Sequence, residues 1–97
     1  MQKQFFVYIL TNATHTVLYT GVTNDLARRM HEHRGGANKG FTRRYHVNQL
    51  VYYKVFDDPI SAIQREKQIK AGSRRKKLEL IEKMNQERRD LYEEIIA

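Results

Sequence analysis

The stretch Val17–His33, VLYTGVTNDLARRMHEH, decides how the rest of the chain is read. Its first part, Val17–Thr23, is rich in β-branched and aromatic residues and reads as a strand. Thr23 or Asn24 is placed to cap a helix beginning at Asp25, and Gly35-Gly36 stops that helix after about ten residues. Leu26, Met30 and His33 form its inward stripe, with Arg29 beside them and four residues before His33. A tyrosine from the strand, Tyr19, can therefore meet a guanidinium and an imidazole in one pocket. Gly21 in mid-strand weakens a strand and marks a place where a ligand or another backbone comes close.

Toward the N-terminus, Phe5–Leu10 (FFVYIL) is a second strand, and TNATHT between the two reads as a hairpin loop. With the loop centred between Ala13 and Thr14, Tyr8 lies opposite Tyr19 and Phe6 opposite Gly21, so both phenols project from one face. Beyond the first helix, residues 35–49 (GGANKGFTRRYHVNQ) lack periodicity and read as a mobile basic loop long enough to be functional. Leu50–Phe56 is the third strand. Asp58-Pro59 starts a helix that Gly72 stops. Ala62, Ile63, Ile69 and Lys70 fall near one side of it, and Glu66 shares that side. A carboxylate on an apolar face is destabilising unless a cation or metal compensates it. Ser73 caps RRKKLELIEKM, with Leu78, Ile81 and Met84 inward. Four cations crowd its first turn against the helix dipole, an arrangement that serves something other than the helix. Gln86–Ala97 reads as an amphipathic helix with Leu91, Tyr92, Ile95 and Ile96 on its apolar face. The expected fold is α+β, a small three-stranded antiparallel sheet flanked by three to four helices. Residues 1–84 form the domain, and 85–97 pack on it or on a dimer partner.

A chain of 97 residues supports one modest core. Its 40% hydrophobic and 30% charged content is that of a globular protein. The absence of cysteine excludes disulfides and thiolate metal sites and suits a reducing compartment. The longest apolar run, Phe5–Leu10, is too short to span a bilayer and no signal peptide precedes it, so a soluble cytoplasmic protein is expected. The net charge of +7 is local: residues 28–44 and 65–77 together contribute +11, and everything else sums to −4. Clustered cations attract phosphates. The candidate contacts are Arg28, Lys39, Arg43, Arg44, Lys70, Arg74, Arg75, Lys76 and Lys77. A solvated basic face is the plain alternative for such runs.

Val7-Tyr8, with Tyr19-Thr20-Gly21 following, resembles the signature of the GIY-YIG nucleases. LARRM with His33 one turn on is similar to that family's arginine-bearing helix, and AIQREKQIK to its glutamate-bearing helix. The run from Phe5 to about Met84, including FTRRY, LVYY and GSRRKKLELI, resembles small stand-alone bacterial members, themselves similar to the nuclease module of the excision-repair incision subunit. Two departures stand out. Phe6-Val7-Tyr8 lacks the nominal glycine and isoleucine, and Thr23 stands where several members carry a lysine near the base. The resemblance implies Tyr8, Tyr19, Arg29 and His33 as catalytic residues, Gly21 as a structural residue and Glu66 as ligand of one Mg²⁺ or Mn²⁺. It implies a DNA endonuclease, with structure-specific or repair-related cleavage within its scope. The alternative is an accessory nucleic-acid-binding module with little cleavage of its own.

Elementary chemistry agrees with these assignments. Phosphodiester hydrolysis needs a base for water, and charge to stabilise the phosphorane and leaving oxygen. A phenol of pKa about 10 needs neighbouring positive charge to serve as base. The Arg29 fork suits phosphate oxygens, and one carboxylate suits one hydrated ion. Each residue alone also fits a plain role: the tyrosines packing the sheet, Arg29 paired with Glu66, His33 in the core. His15, His31 and His46 show no metal-ligand spacing. A monomer or weak homodimer without membrane contact is expected, and so small a domain leaves room for a protein partner that confers specificity.

Overall fold

The computed structural model describes residues 3–35 and 40–96. Three strands, β1 (Phe5–Thr11), β2 (Leu18–Thr23) and β3 (Gln49–Phe56), form an antiparallel sheet with β1 in the middle. The helices are α1 (Leu26–Arg34), α2 (Phe41–Arg44), α3 (Pro59–Ala71), α4 (Arg74–Met84) and α5 (Tyr92–Ile96). The α+β class and the small antiparallel sheet are as the sequence implies, although among the described residues α2 and α5 are only four and five residues long.

Alternation along β1 sends side chains to two cores. Val7 and Ile9 pack with Val51, Tyr52, Ala62, Ile69 and Ile81, beneath α3 and α4. Tyr8 and Leu10 pack with Leu26, Met30, Val47, Leu50 and Leu91, beneath α1 and the C-terminal segment. A bulge keeps the two sets apart on β3. Ile9 faces Tyr52 while Leu10 faces Leu50, which leaves Val51 as the extra residue and turns it, with Tyr52, to the first core. Buried Asn85 donates its side-chain N–H to the Val51 carbonyl at 3.2 Å, satisfying the bulged backbone.

The hairpin register differs from the expected one. Tyr8 lies opposite Gly21, and Leu10 opposite Tyr19. The loop is centred further on because Asn12 Oδ1 accepts the N–H groups of Thr16 (2.9 Å) and Val17 (3.1 Å), while His15 adopts a left-handed conformation at φ 57°. The displacement is two residues, so both phenols still share a face.

Local caps explain the helices. Asp25, rather than Thr23 or Asn24, caps α1, accepting from the Arg28 N–H at 3.1 Å; Thr23 Oγ1 in turn accepts from the Asp25 N–H. Asp58 accepts from the Ser61 N–H at 2.8 Å with Pro59 in the first turn, and Ser73 accepts from the Lys76 N–H at 3.2 Å. Met84, expected to face inward, is exposed, as are Ile63 and Ile96 of the expected apolar faces. Residues 40–49 are not featureless, since α2 lies within them and Thr42 and Val47 are buried. The expected helix over 86–97 is shortened to α5. Asn85 Oδ1 accepts from the Arg89 N–H, and Asp90 Oδ1 accepts from the N–H groups of Leu50 and Tyr92, so these side chains compete with helical hydrogen bonding.

One contact fixes the hairpin geometry. A Cβ added at Gly21 would stand 2.5 Å from the Tyr8 hydroxyl oxygen and 2.6 Å from its ring carbon, well inside van der Waals contact. Tyr8 is only 2% exposed and has nowhere to go. Gly21→Ala is therefore expected to destabilise the fold by about 2 kcal/mol and to lower Tm by roughly 10 °C, read by thermal circular dichroism. An unchanged Tm would contradict the contact.

Candidate active site

Tyr8 sits at the bottom of the site, in the middle strand. Burial, assisted by Tyr19, Glu66 and Glu32 and opposed by the positive charge of Arg29, pushes its phenol up to about 12. The hydroxyl stays protonated near neutrality. Arg29 belongs to α1 and Glu66 to α3, helices that pack on opposite sides of the sheet, and their charges shift this phenol in opposite directions.

His33 stands edge-on to both phenols. Its ring centroid is 6.5 Å from that of Tyr8 and 6.3 Å from that of Tyr19, with interplanar angles of 62° and 61°. It reaches them from the last turn of α1, the helix that Asp25 starts and whose Leu26 and Met30 are anchored in the core. Burial first, then Arg29, depresses the His33 pKa against a smaller opposing effect of Glu32. The ring is neutral at pH 7 and able to accept a proton. Tyr19 is half-buried and stacks on Phe41, with centroids 6.1 Å apart at 26°.

The charged residues divide by partner. Arg29 Nε lies 3.6 Å from Glu32 on its own helix, and Lys70 Nζ lies 3.8 Å from Glu66, again within one helix. The Arg29–Glu66 pair weighed from the sequence is replaced by these two. The Glu66 side chain is only 14% exposed. Among the described residues no three His, Cys, Asp or Glu side chains gather as a metal cluster. Glu66 is a fitting ligand for a single hard cation that keeps most of its water, the coordination style of Mg²⁺.

The basic residues proposed as phosphate contacts are unevenly free for that task. Arg74 donates to the backbone carbonyls of His15 (3.0 Å) and Thr16 (3.1 Å), tying α4 to the hairpin loop. Arg75 pairs with Glu79 at 3.5 Å. Arg28, Arg43, Arg44 and Lys76 are exposed and Lys77 is half-buried. Lys39 lies outside the described residues. Two residues that the sequence reading passed over extend from Tyr19, Phe41 stacking on it and Tyr45 meeting Phe41. Phe41 and Tyr45 have centroids 4.7 Å apart, and Arg44 lies 5.5 Å over the Tyr45 ring. The aromatics of FTRRY were the available signal, hidden by the reading of that segment for its charge.

The pH dependence has a definite sign. Folded His33 holds its proton less tightly than the unfolded chain does, so its contribution to stability is intact above about 6.5 and is lost as pH falls below that value. An imidazole NMR titration is expected to place its midpoint below 6.5, and His33→Gln is expected to flatten the acid-side loss of stability. A midpoint at or above the ordinary value would contradict the burial of this ring.

A family model described as the GIY-YIG catalytic domain matches residues 4–79. The chain is 39% identical to the UPF0213 protein of Haloquadratum walsbyi, over 84% of this chain and 91% of that one. It is 41% identical to the UPF0213 protein of Natronomonas pharaonis, over 84% and 94%. Among solved structures, the solution NMR structure of a UPF0213 protein from Bacillus halodurans is 33% identical and superposes with a TM-score of 0.55, covering 84% of this chain and 86% of that one. Matched over more than half its length by the family's own model, the chain belongs to the GIY-YIG family, whose catalytic domain is of nuclease type.

Proposed function

We propose that this protein is a divalent-metal-dependent endonuclease that hydrolyses phosphodiester bonds in DNA. The observation that carries the reading is the placing of His33 edge-on to both phenols, 6.5 Å from the Tyr8 ring and 6.3 Å from that of Tyr19, while the charges of Arg29 and Glu66 bear on the Tyr8 phenol.

In this mechanism the Tyr19–His33 pair takes the proton of the attacking water. As the phenol oxygen receives it, the phenol's own proton passes to the neutral imidazole. Buried, protonated Tyr8 donates a hydrogen bond and orients the attacking oxygen. The Arg29 guanidinium, permanently charged and planar, binds the non-bridging oxygens as negative charge grows on phosphorus. Glu66 would hold one Mg²⁺ or Mn²⁺, which when bound supplies further positive charge to the phosphate and leaving oxygen. The exposed cations on α1, α2 and α4 hold the strand by its phosphates.

A second reading has its own support. Arg29 and Glu66 are each partly neutralised by a neighbour on the same helix, as suits a module that binds nucleic acid and cleaves it slowly.

A cleavage panel of linear, nicked, flapped and single-stranded DNA with Mg²⁺ or Mn²⁺ separates the two. Arg29→Ala is expected to lower the rate by about 10²- to 10³-fold. Glu66→Ala is expected to abolish cleavage, as chelation does for the wild type, and both variants are expected to retain binding. Binding by all three proteins with cleavage by none would establish the second reading instead.

A further inference from the structure

We infer that α2 presents a stacking platform for an unpaired base of single-stranded DNA, next to the catalytic phenol. The inference rests on the proposed function in taking DNA as the substrate and Tyr19 as the phenol that faces the scissile phosphate. It names the form of substrate that the site accepts.

Three observations lead to it. The first is an aromatic ladder running outward from the site. Tyr19 stacks on Phe41 at 6.1 Å, and Phe41 meets Tyr45 at 4.7 Å with a tilt of 47°. The second is exposure. Phe41 is 48% and Tyr45 42% exposed, and with Gly40, Arg43 and Arg44 they line an open depression of about 700 Å³. Single exposed aromatics are commonplace, but here two in contact, one in α2 and one at its C-cap, leave apolar area in water. The third is how that exposure is enforced. Thr42 and Val47 are buried, and the Val47 N–H donates to the Thr42 carbonyl at 2.8 Å, which sets the rotation of α2. Gly40 supplies the φ of 93° that brings the chain into the helix, a conformation that residues with a Cβ rarely adopt. The aromatics face outward because their neighbours face in.

The occupant follows from the chemistry. Aromatic faces flanked by arginines bind a nucleobase by stacking while the guanidiniums take the adjacent phosphates. Bases in a duplex have their faces covered by their neighbours and cannot use such a surface. An unpaired base can. The ladder ends at Tyr19, so a base seated on Phe41 and Tyr45 would lie beside the phosphate presented to the site.

Fluorescence anisotropy with labelled oligo(dT), oligo(U) and a duplex of equal length, in chelator without divalent cation, tests this without reference to cleavage. Tyr45→Ala and Phe41→Ala are each expected to weaken oligo(dT) binding roughly tenfold, with duplex binding changed by less than about twofold. Tyr45→Phe, which keeps the ring, is expected to bind oligo(dT) as the wild type does. Unchanged Tm values would show that the alanine variants fold. Equal losses for single strand and duplex, unaltered oligo(dT) affinity, or tighter binding of oligo(U) than of oligo(dT) would overturn the inference. The binding contrast stands even if the cleavage panel is silent, so failure of the hydrolase reading and failure of the platform are told apart.

Discussion

The contact between the Tyr8 ring and the bare backbone of Gly21 is the constraint on which the rest depends. Cross-strand partners in an antiparallel pair stand close enough that a methyl group on one reaches the side chain of the other. With hydrogen in place of that methyl, the hydroxyl end of the Tyr8 ring lies against the Gly21 backbone. The strand gives up some intrinsic stability at the glycine, and the buried ring offsets that loss. The phenol's raised pKa follows from the same burial, so a packing requirement also sets the protonation state.

Around this hydroxyl the two sides of the sheet contribute opposite charges. Arg29 comes from α1, on the side of the core that holds Tyr8, and Glu66 from α3, on the other. Each keeps a partner on its own helix, so neither charge is left unbalanced. The Arg29–Glu32 pair, open to solvent, contributes little to stability and is readily exchanged for a stronger partner such as phosphate. The cation at the end of α1 is used differently. Arg34 donates to Asp90 at 2.5 Å and lies 4.3 Å over the Tyr92 ring, so it clamps the C-terminal segment and is spent on structure.

Local signals were legible from the sequence, and distant ones were not. Asp58 with Pro59, Ser73 and Gly72 bound their helices as read, because a cap acts within one turn. The hairpin register was misplaced because Asn12 gathers two loop N–H groups, yet the site face survived, since a shift of two preserves the alternation. The tail misled by its apolar spacing. Asn85 and Asp90 bind backbone on β3, more than thirty residues away in sequence, and no periodicity announces that. The β3 bulge, which places Val51 and Tyr52 on one side, was invisible for the same reason. Of the residues that resemblance assigned to the site, His33 stands edge-on to Tyr8 and Tyr19, while Phe41 and Tyr45 entered only once the burial of Thr42 and Val47 had fixed which way α2 turns.

The central claim is that Glu66, Tyr8 and Tyr19 share one cation-accepting cleft. Paramagnetic broadening of NMR signals by substoichiometric Mn²⁺ tests this most directly. The account predicts that Glu66 and the rings of Tyr8 and Tyr19 broaden first and that Glu66→Gln abolishes the effect. Broadening centred on other carboxylates, such as Asp57 and Asp58, with the Tyr8 and Tyr19 signals left sharp, would contradict it.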